Sequence, residues 1–273
     1  MNEQFCDVGR GITLCYETFG DPSDPTTLLI MGLGTQMVAW QGDFCAQLAE
    51  RGLHVVRFDN RDAGRSTHVS APAPTVAQLL RRSRTAASYT LADMAQDAAG
   101  LLEPLGLSPA HVIGASMGGM IAQTLAARHP EHVRSLVSIM SSTGSRLTGQ
   151  PSLRTYTVLL RRAPSGRDAY IAHLERAFAV IGSRGLPRSL EDIREIAACS
   201  YDRDHDPDGP PRQLAAILAS GNRSAELRGI TAPTLVVHGR ADPLVAYSGG
   251  RATARLIPGA KLMGIDGMGH DLP

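Results

Sequence analysis

Short apolar runs alternate with stretches of helical periodicity along the first half of the chain, and this alternation leaves few folds open. Parallel strands joined by crossover helices produce such a rhythm, because each strand is covered on both faces while each helix buries one stripe. Residues 12–18 (ITLCYET) predict a strand, hairpinned with residues 4–8. Residues 27–31 (TLLIM), 53–59 (LHVVRFD), 111–116 (HVIGAS), 133–140, 234–239 and 261–266 predict further strands. Helical patterns fall at about 38–51, 90–104, 117–129 and 247–256, with Thr90 and Asp93 spaced as a helix cap. The expected fold is α/β, a mostly parallel sheet of seven to eight strands flanked by helices. Between 144 and 227 the rhythm changes to helices alone (154–163, 167–181, 190–200, 211–220). That segment predicts a helical cap inserted into a core made of 1–143 and 228–273, set over the carboxyl ends of the strands where such sheets bind ligands.

The sequence Gly114-Ala115-Ser116-Met117-Gly118-Gly119 stands where an apolar strand gives way to a helix. G-x-S-x-G at such a junction predicts a nucleophile elbow, a turn so tight that small residues must flank the serine. A serine hydroxyl attacks only when a base takes its proton, and the base needs an orienting acid. Asp242, in HGRADP after one strand, is the candidate acid; His270, in GMGH after the last, is the candidate base. Asp266 and Asp271 are rival acids but are expected in the surface turn, since a sequence neighbour rarely reaches the far imidazole nitrogen. His111 and His132 precede strands, His129 sits at a helix end and His54 opens a strand; His238 is expected to support the site without touching Ser116. Acyl transfer also needs two N–H groups aimed at the developing oxyanion. Met117, the residue after the serine, offers one, and Leu33 in the turn Met31-Gly32-Leu33-Gly34 offers the other.

Composition narrows the partners. The chain has 273 residues, 27 basic and 26 acidic, for a net charge of +1, which gives no bulk electrostatic reason to expect nucleic acid or an anionic membrane. No run reaches the ~18 apolar residues that span a bilayer, and the N-terminus has no secretory pattern. Cys6, Cys15, Cys45 and Cys199 are scattered without a C-x-x-C pair, so free thiols in a reducing cytoplasm are expected.

Several motifs are set aside. Gly32-Leu33-Gly34 could open a dinucleotide fingerprint, but its third glycine position is Met37. Asp204-His205-Asp206-Pro207-Asp208-Gly209 imitates a calcium loop whose twelfth position is Ala215, so a solvated acidic connector is expected. Arg81-Arg82-Ser83-Arg84 is read as a solvated polar linker. Asp59-Asn60-Arg61-Asp62 is read as a hydrogen-bonded turn. Serine at 116 argues against alkyl-enzyme chemistry, which needs a carboxylate nucleophile.

Over essentially its whole length the sequence resembles the α/β-hydrolases with a helical cap. The motifs are MGLG (31–34), DNRDAGRS (59–66), GASMGG (114–119), HGRADPLV (238–245) and GMGH (267–270). It is most similar to bacterial polyketide methylesterases of the aclacinomycin methylesterase type, which share an MG oxyanion turn. The resemblance implies a Ser116–Asp242–His270 triad, Leu33 and Met117 as oxyanion donors, and no metal or organic cofactor. Met31 stands where many members carry histidine, and a final helix is expected beyond Leu272-Pro273. Met31, Met37, Met117, Met120 and Met268 fall in or beside the site loops. Gly32, Met37, Met120 and Met268 are therefore expected to bind a bulky hydrophobic ester, cleaved with loss of a small alcohol such as methanol. Cleavage of a C–C bond or a lactone with the same triad, and a catalytically silent receptor or scaffold, are the alternatives. A homodimer is one assembly to test.

Overall fold

The structure is a computed structural model that describes residues 2–187 and 189–273. Every apolar run becomes a strand of one eight-stranded sheet, ordered β1-β2-β4-β3-β5-β6-β7-β8. β1 (Gln4–Asp7) and β2 (Thr13–Phe19) form the expected hairpin, and β2 pairs antiparallel with β4 (His54–Phe58). From β4 onward all pairs are parallel: β3 (Thr26–Ile30), β5 (Ala110–Ala115), β6 (Val133–Ile139), β7 (Thr234–Gly239) and β8 (Lys261–Ile265).

β3 shows why its sequence is a continuous apolar run. Leu28 and Ile30, with Val56, Phe58 and Val112, pack on one face against α3 (Leu91–Leu102) and α4 (Met117–Arg128). Leu29, Val55 and Ala115 point the other way, toward Trp40 and toward Cys45 of α1 (Gly42–Ala49). The helix expected over 38–51 is therefore a 3₁₀ turn, Met37–Ala39, followed by α1. The Thr90–Asp93 capping box forms as expected. Just ahead of the Arg81–Arg84 run, where the patterns assigned no helix, a short helix α2 (Val76–Leu80) forms behind a second capping box, Thr75 with Gln78.

Between β6 and β7 lie α5 (Tyr156–Leu159), α6 (Arg167–Ile181), α7 (Leu190–Arg203), α8 (Gly209–Ser220) and α9 (Ser224–Leu227), with no strand among the described residues. α10 (Ser248–Leu256) follows β7 and packs against it. This helical block docks on the turn Asp59-Asn60-Arg61-Asp62. Arg203, closing α7, pairs with the fully buried Asp59 (Nη2–Oδ2 2.8 Å), and Arg212 of α8 pairs with Asp62 (Nη2–Oδ1 2.7 Å).

The connector 204–209 departs from the solvated loop expected of it. Arg212 also holds Asp206 (2.6 Å), and His68 stands 3.0 Å from Asp206 and 3.1 Å from Asp204. Asp62, His68 and Asp206 thus approach like cation ligands, yet the Arg212 guanidinium already supplies the positive charge between the two carboxylates. Among the described residues no helix is long and apolar enough to cross a membrane.

Candidate active site

β5 delivers Ser116 at its carboxyl end and α4 starts at the next residue, so the chain must reverse within one peptide unit. Ser116 takes φ 56° and ψ −116°, a strained conformation for a residue with a Cβ. The reversal pushes the start of α4 against β3: a Cβ on Gly118 would lie 2.1 Å from Ile30 O, so no larger residue fits there. The serine makes no side-chain cap to its own helix, which leaves Oγ free.

His270 has farther to come. It follows β8, three strands from β5, or roughly 14 Å at ~4.8 Å per strand. The segment after β8 folds back over the end of β7, with Ala241 N–H donating to Met268 O (3.1 Å). The carboxyl end of α6 then fixes it, since His270 N–H donates to Ile181 O (2.7 Å) and Gly269 N–H to Ser183 Oγ (2.9 Å). The imidazole lies with Nε2 2.9 Å from Ser116 Oγ and Nδ1 2.7 Å from Asp242 Oδ2. The other oxygen of Asp242 accepts the N–H groups of Leu244 (2.8 Å) and Val245 (2.9 Å), which fixes the carboxylate's rotation. Three residues separated by up to 154 positions therefore form one hydrogen-bonded line.

His238 stands 3.5 Å from Asp242 Oδ2 but spends its Nε2–H on Val245 O (2.7 Å), away from Ser116. Burial lowers its pKa, against the raising effects of Val245 O and Asp242, so it stays neutral and leaves the Asp242 charge to His270. Asp266 lies on the surface against Arg240 (3.0 Å). Asp271 corrects the surface-turn expectation, because it is buried and accepts both N–H (2.8 Å) and Oγ–H of Ser183. Its hydrogen bonds clamp the residue beside the base; neither rival acid contacts the imidazole. Nor do the buried thiols offer a competing nucleophile, since burial pushes Cys15 up to about 12 and Cys45 up to about 11.

The turn after β3 runs directly beside the serine: a Cβ on Gly32 would lie 3.2 Å from Ser116 Cβ. Among the described residues, the N–H groups of Leu33 and Met117 have no protein acceptor. Serine, turn and helix start open into a cavity of about 1540 Å³ between the strand ends and the helical block. Met31, Gly32, Met117, Met120 and Met268 all line it, and Met140 joins them. Met37 does not. Its side chain is fully buried with Cys15 and Val38, because its N–H donates to Asp59 Oδ1 (2.7 Å) and rolls the 3₁₀ turn inward.

Two framework residues escaped sequence reasoning. Asn60 donates from Nδ2 to Met31 O (2.9 Å), and Gln213 accepts from Gly34 N–H (2.7 Å). For Gln213 a signal existed, a lone amide within the apolar pattern of 211–220; for Asn60 the turn motif gave no hint of its partner.

Comparison with known proteins agrees with this layout. A family model described as alpha/beta hydrolase fold matches residues 25–273. The chain is 30% identical to rhodomycin D methylesterase DauP of Streptomyces sp. strain C5 over 285 aligned positions, covering 96% of this chain and 90% of that protein. It is 28% identical to rhodomycin D methylesterase DnrP of Streptomyces peucetius, with the same coverage. Among solved structures, a hydrolase from Pseudomonas aeruginosa PA01 superposes with a TM-score of 0.69 at 26% identity, covering 97% of this chain and 90% of that one.

Proposed function

The chain belongs to the α/β-hydrolase family, and from that premise we propose that it is a serine esterase acting on a bulky hydrophobic carboxylic ester. The observation that carries this reading is the line Ser116 Oγ–His270 Nε2 (2.9 Å) and His270 Nδ1–Asp242 Oδ2 (2.7 Å) beside two unengaged N–H groups. Ser116 Oγ attacks the ester carbon as His270 takes its proton, and Leu33 and Met117 N–H receive the oxyanion. Collapse of the tetrahedral adduct expels the alcohol, protonated by the imidazolium, and leaves an acyl-serine. Water, deprotonated by His270, then releases the acid and restores Ser116. Throughout, Asp242 holds the imidazole tautomer and stabilises its charged form.

The substrate reading rests on the cavity. Its methionine-rich floor adapts to irregular apolar shapes, and its volume suits a fused-ring acyl group better than an acetyl. The relatives named methylesterases support methanol as the leaving alcohol. The helical block serves as the cap that encloses this acyl group. Four unpaired cysteines support a reducing cytoplasm as its compartment, and a net charge of +1 supports a small-molecule hydrophobic ester as its partner rather than nucleic acid or an anionic membrane.

The test is a kcat/KM panel of methyl esters of fused-ring acids against short acetates and the matching amides. Fused-ring methyl esters should lead by tenfold or more. Acetates leading by that margin overturn the pocket reading, and amides cleaved as fast as esters overturn the esterase reading.

A further inference from the structure

The oxyanion turn is pinned by more than its own sequence. At its start Asn60 Nδ2 donates to Met31 O (2.9 Å), and beyond its end Met37 N–H donates to Asp59 Oδ1 (2.7 Å). Both of those tethers come from the core turn after β4. The third comes from the helical block. Gln213, fully buried on α8, accepts Gly34 N–H at its Oε1 (2.7 Å) and donates from Nε2 to Arg61 O (2.8 Å). Pro210, one turn earlier on α8, packs on the same glycine, 3.1 Å from where a Cβ would stand. Within the turn, Thr35 N–H reaches back to Gly32 O (3.3 Å) and Thr35 Oγ–H to Leu33 O (3.2 Å).

We propose that Gln213 is a positioning residue for the oxyanion hole, through which docking of α8 sets the orientation of Leu33 N–H. The inference rests on the esterase reading of this site. Its amide is oriented by two different backbone partners, an N–H on the oxyanion turn and a C=O on the β4 turn, so neither end is free to rotate. Leu33 N–H lies one residue from the N–H that Gln213 holds. An oxyanion donor acts only within about 2.7–3.1 Å of the developing charge, so a small tilt of this peptide is enough to lose it. The helical block then does more than enclose the substrate: it completes the frame of a catalytic turn that belongs to the core.

The experiment compares Gln213→Met, which keeps the volume and removes both hydrogen bonds, with Gln213→Glu. Gln213→Met should lower kcat on a fused-ring methyl ester by about tenfold to a hundredfold with KM changed less than threefold. Affinity for a trifluoromethyl ketone, whose hemiketal with Ser116 carries the oxyanion, should fall in parallel with kcat, while affinity for the product acid stays. In Gln213→Glu a protonated carboxyl can accept from Gly34 and donate to Arg61 O, whereas the ionised form cannot donate. Its kcat relative to wild type should therefore rise as pH falls. A folded Gln213→Met with kcat within twofold of wild type, equal losses for ketone and product acid, or a flat relative pH profile in Gln213→Glu each overturns the proposal. Wild type failing to cleave any methyl ester is a separate outcome, which overturns the esterase reading itself.

Discussion

The cavity has two walls, and they are fixed by interactions of different range. On the core wall, local geometry dominates. Ser116 is placed by a reversal within one peptide, and Asp242 by N–H groups two and three residues on. On the helical wall, placement depends on side chains that meet residues more than a hundred positions away: Arg203 with Asp59, Arg212 with Asp62 and Gln213 with Gly34. The helical wall is itself uneven. Its ion pairs with the turn after β4 are buried, whereas the pairs between its own helices, Arg167–Asp202 and Arg194–Glu175, reach the surface. The lesson is a division by range: short-range turns place Ser116 and Asp242, whereas long-range contacts with the helical block hold His270, brace the turn after β3 and enclose the cavity.

Substitutions can break that division. The largest effect should come from the core wall: Ser116→Ala should lower kcat by about 10⁴ or more while product-acid binding and melting temperature stay near wild type. A variant that also lost binding would show that chemistry and enclosure are not separable here. Next comes the buried tether. Arg212→Met leaves Asp62 without a cation and should cost about 3–5 kcal/mol in urea unfolding. Arg167→Ala, on the solvent side, should leave unfolding unchanged. Equal effects of the two would erase the contrast between inner and outer contacts.

A smaller, pH-dependent effect than that of Arg212→Met concerns His68, which joins the core to the connector before α8. Burial acts to lower its pKa, but hydrogen bonds to Gly64 O and Asp206, with the charges of Asp204 and Asp206, outweigh this and leave it raised. A raised pKa favours the folded state in full below the unfolded value of about 6.5, and that contribution fades as pH rises through the folded value. The stability difference between wild type and His68→Leu should therefore be largest at acid pH, about 1 kcal/mol, and should shrink above neutrality. A difference that grows with pH would reverse the assignment.

The same division governs what could be read from the residues in order. The strands, the elbow and the Thr90–Asp93 cap are encoded within a few positions, so pattern and spacing exposed them. The short α2 was legible too, since Thr75 and Gln78 have capping-box spacing. Asp271 was not: its burial depends on Ser183, delivered by a helix end 88 residues earlier. Met37 misled because sequence proximity to a site loop says nothing about which way a turn rolls, and here the distant Asp59 decided. The Asp204–Asp208 run looked solvated because one partner, His68, lies 138 positions from Asp206, and the other, Arg212, only six positions on, reads as a helix-surface charge until α8 is seen to bury it.

The hydrogen bond from His270 N–H to Ile181 O has a kinetic corollary. Because the base leans on the last turn of α6, an excursion lifting that helix would carry the imidazole off Ser116. Turnover and such an opening exclude each other in time. Entry or release by lifting α6 would therefore require the line Ser116–His270–Asp242 to be rebuilt in every cycle, whereas exposed Phe44, Val76, Leu80 and Tyr156 line the same cavity away from that contact.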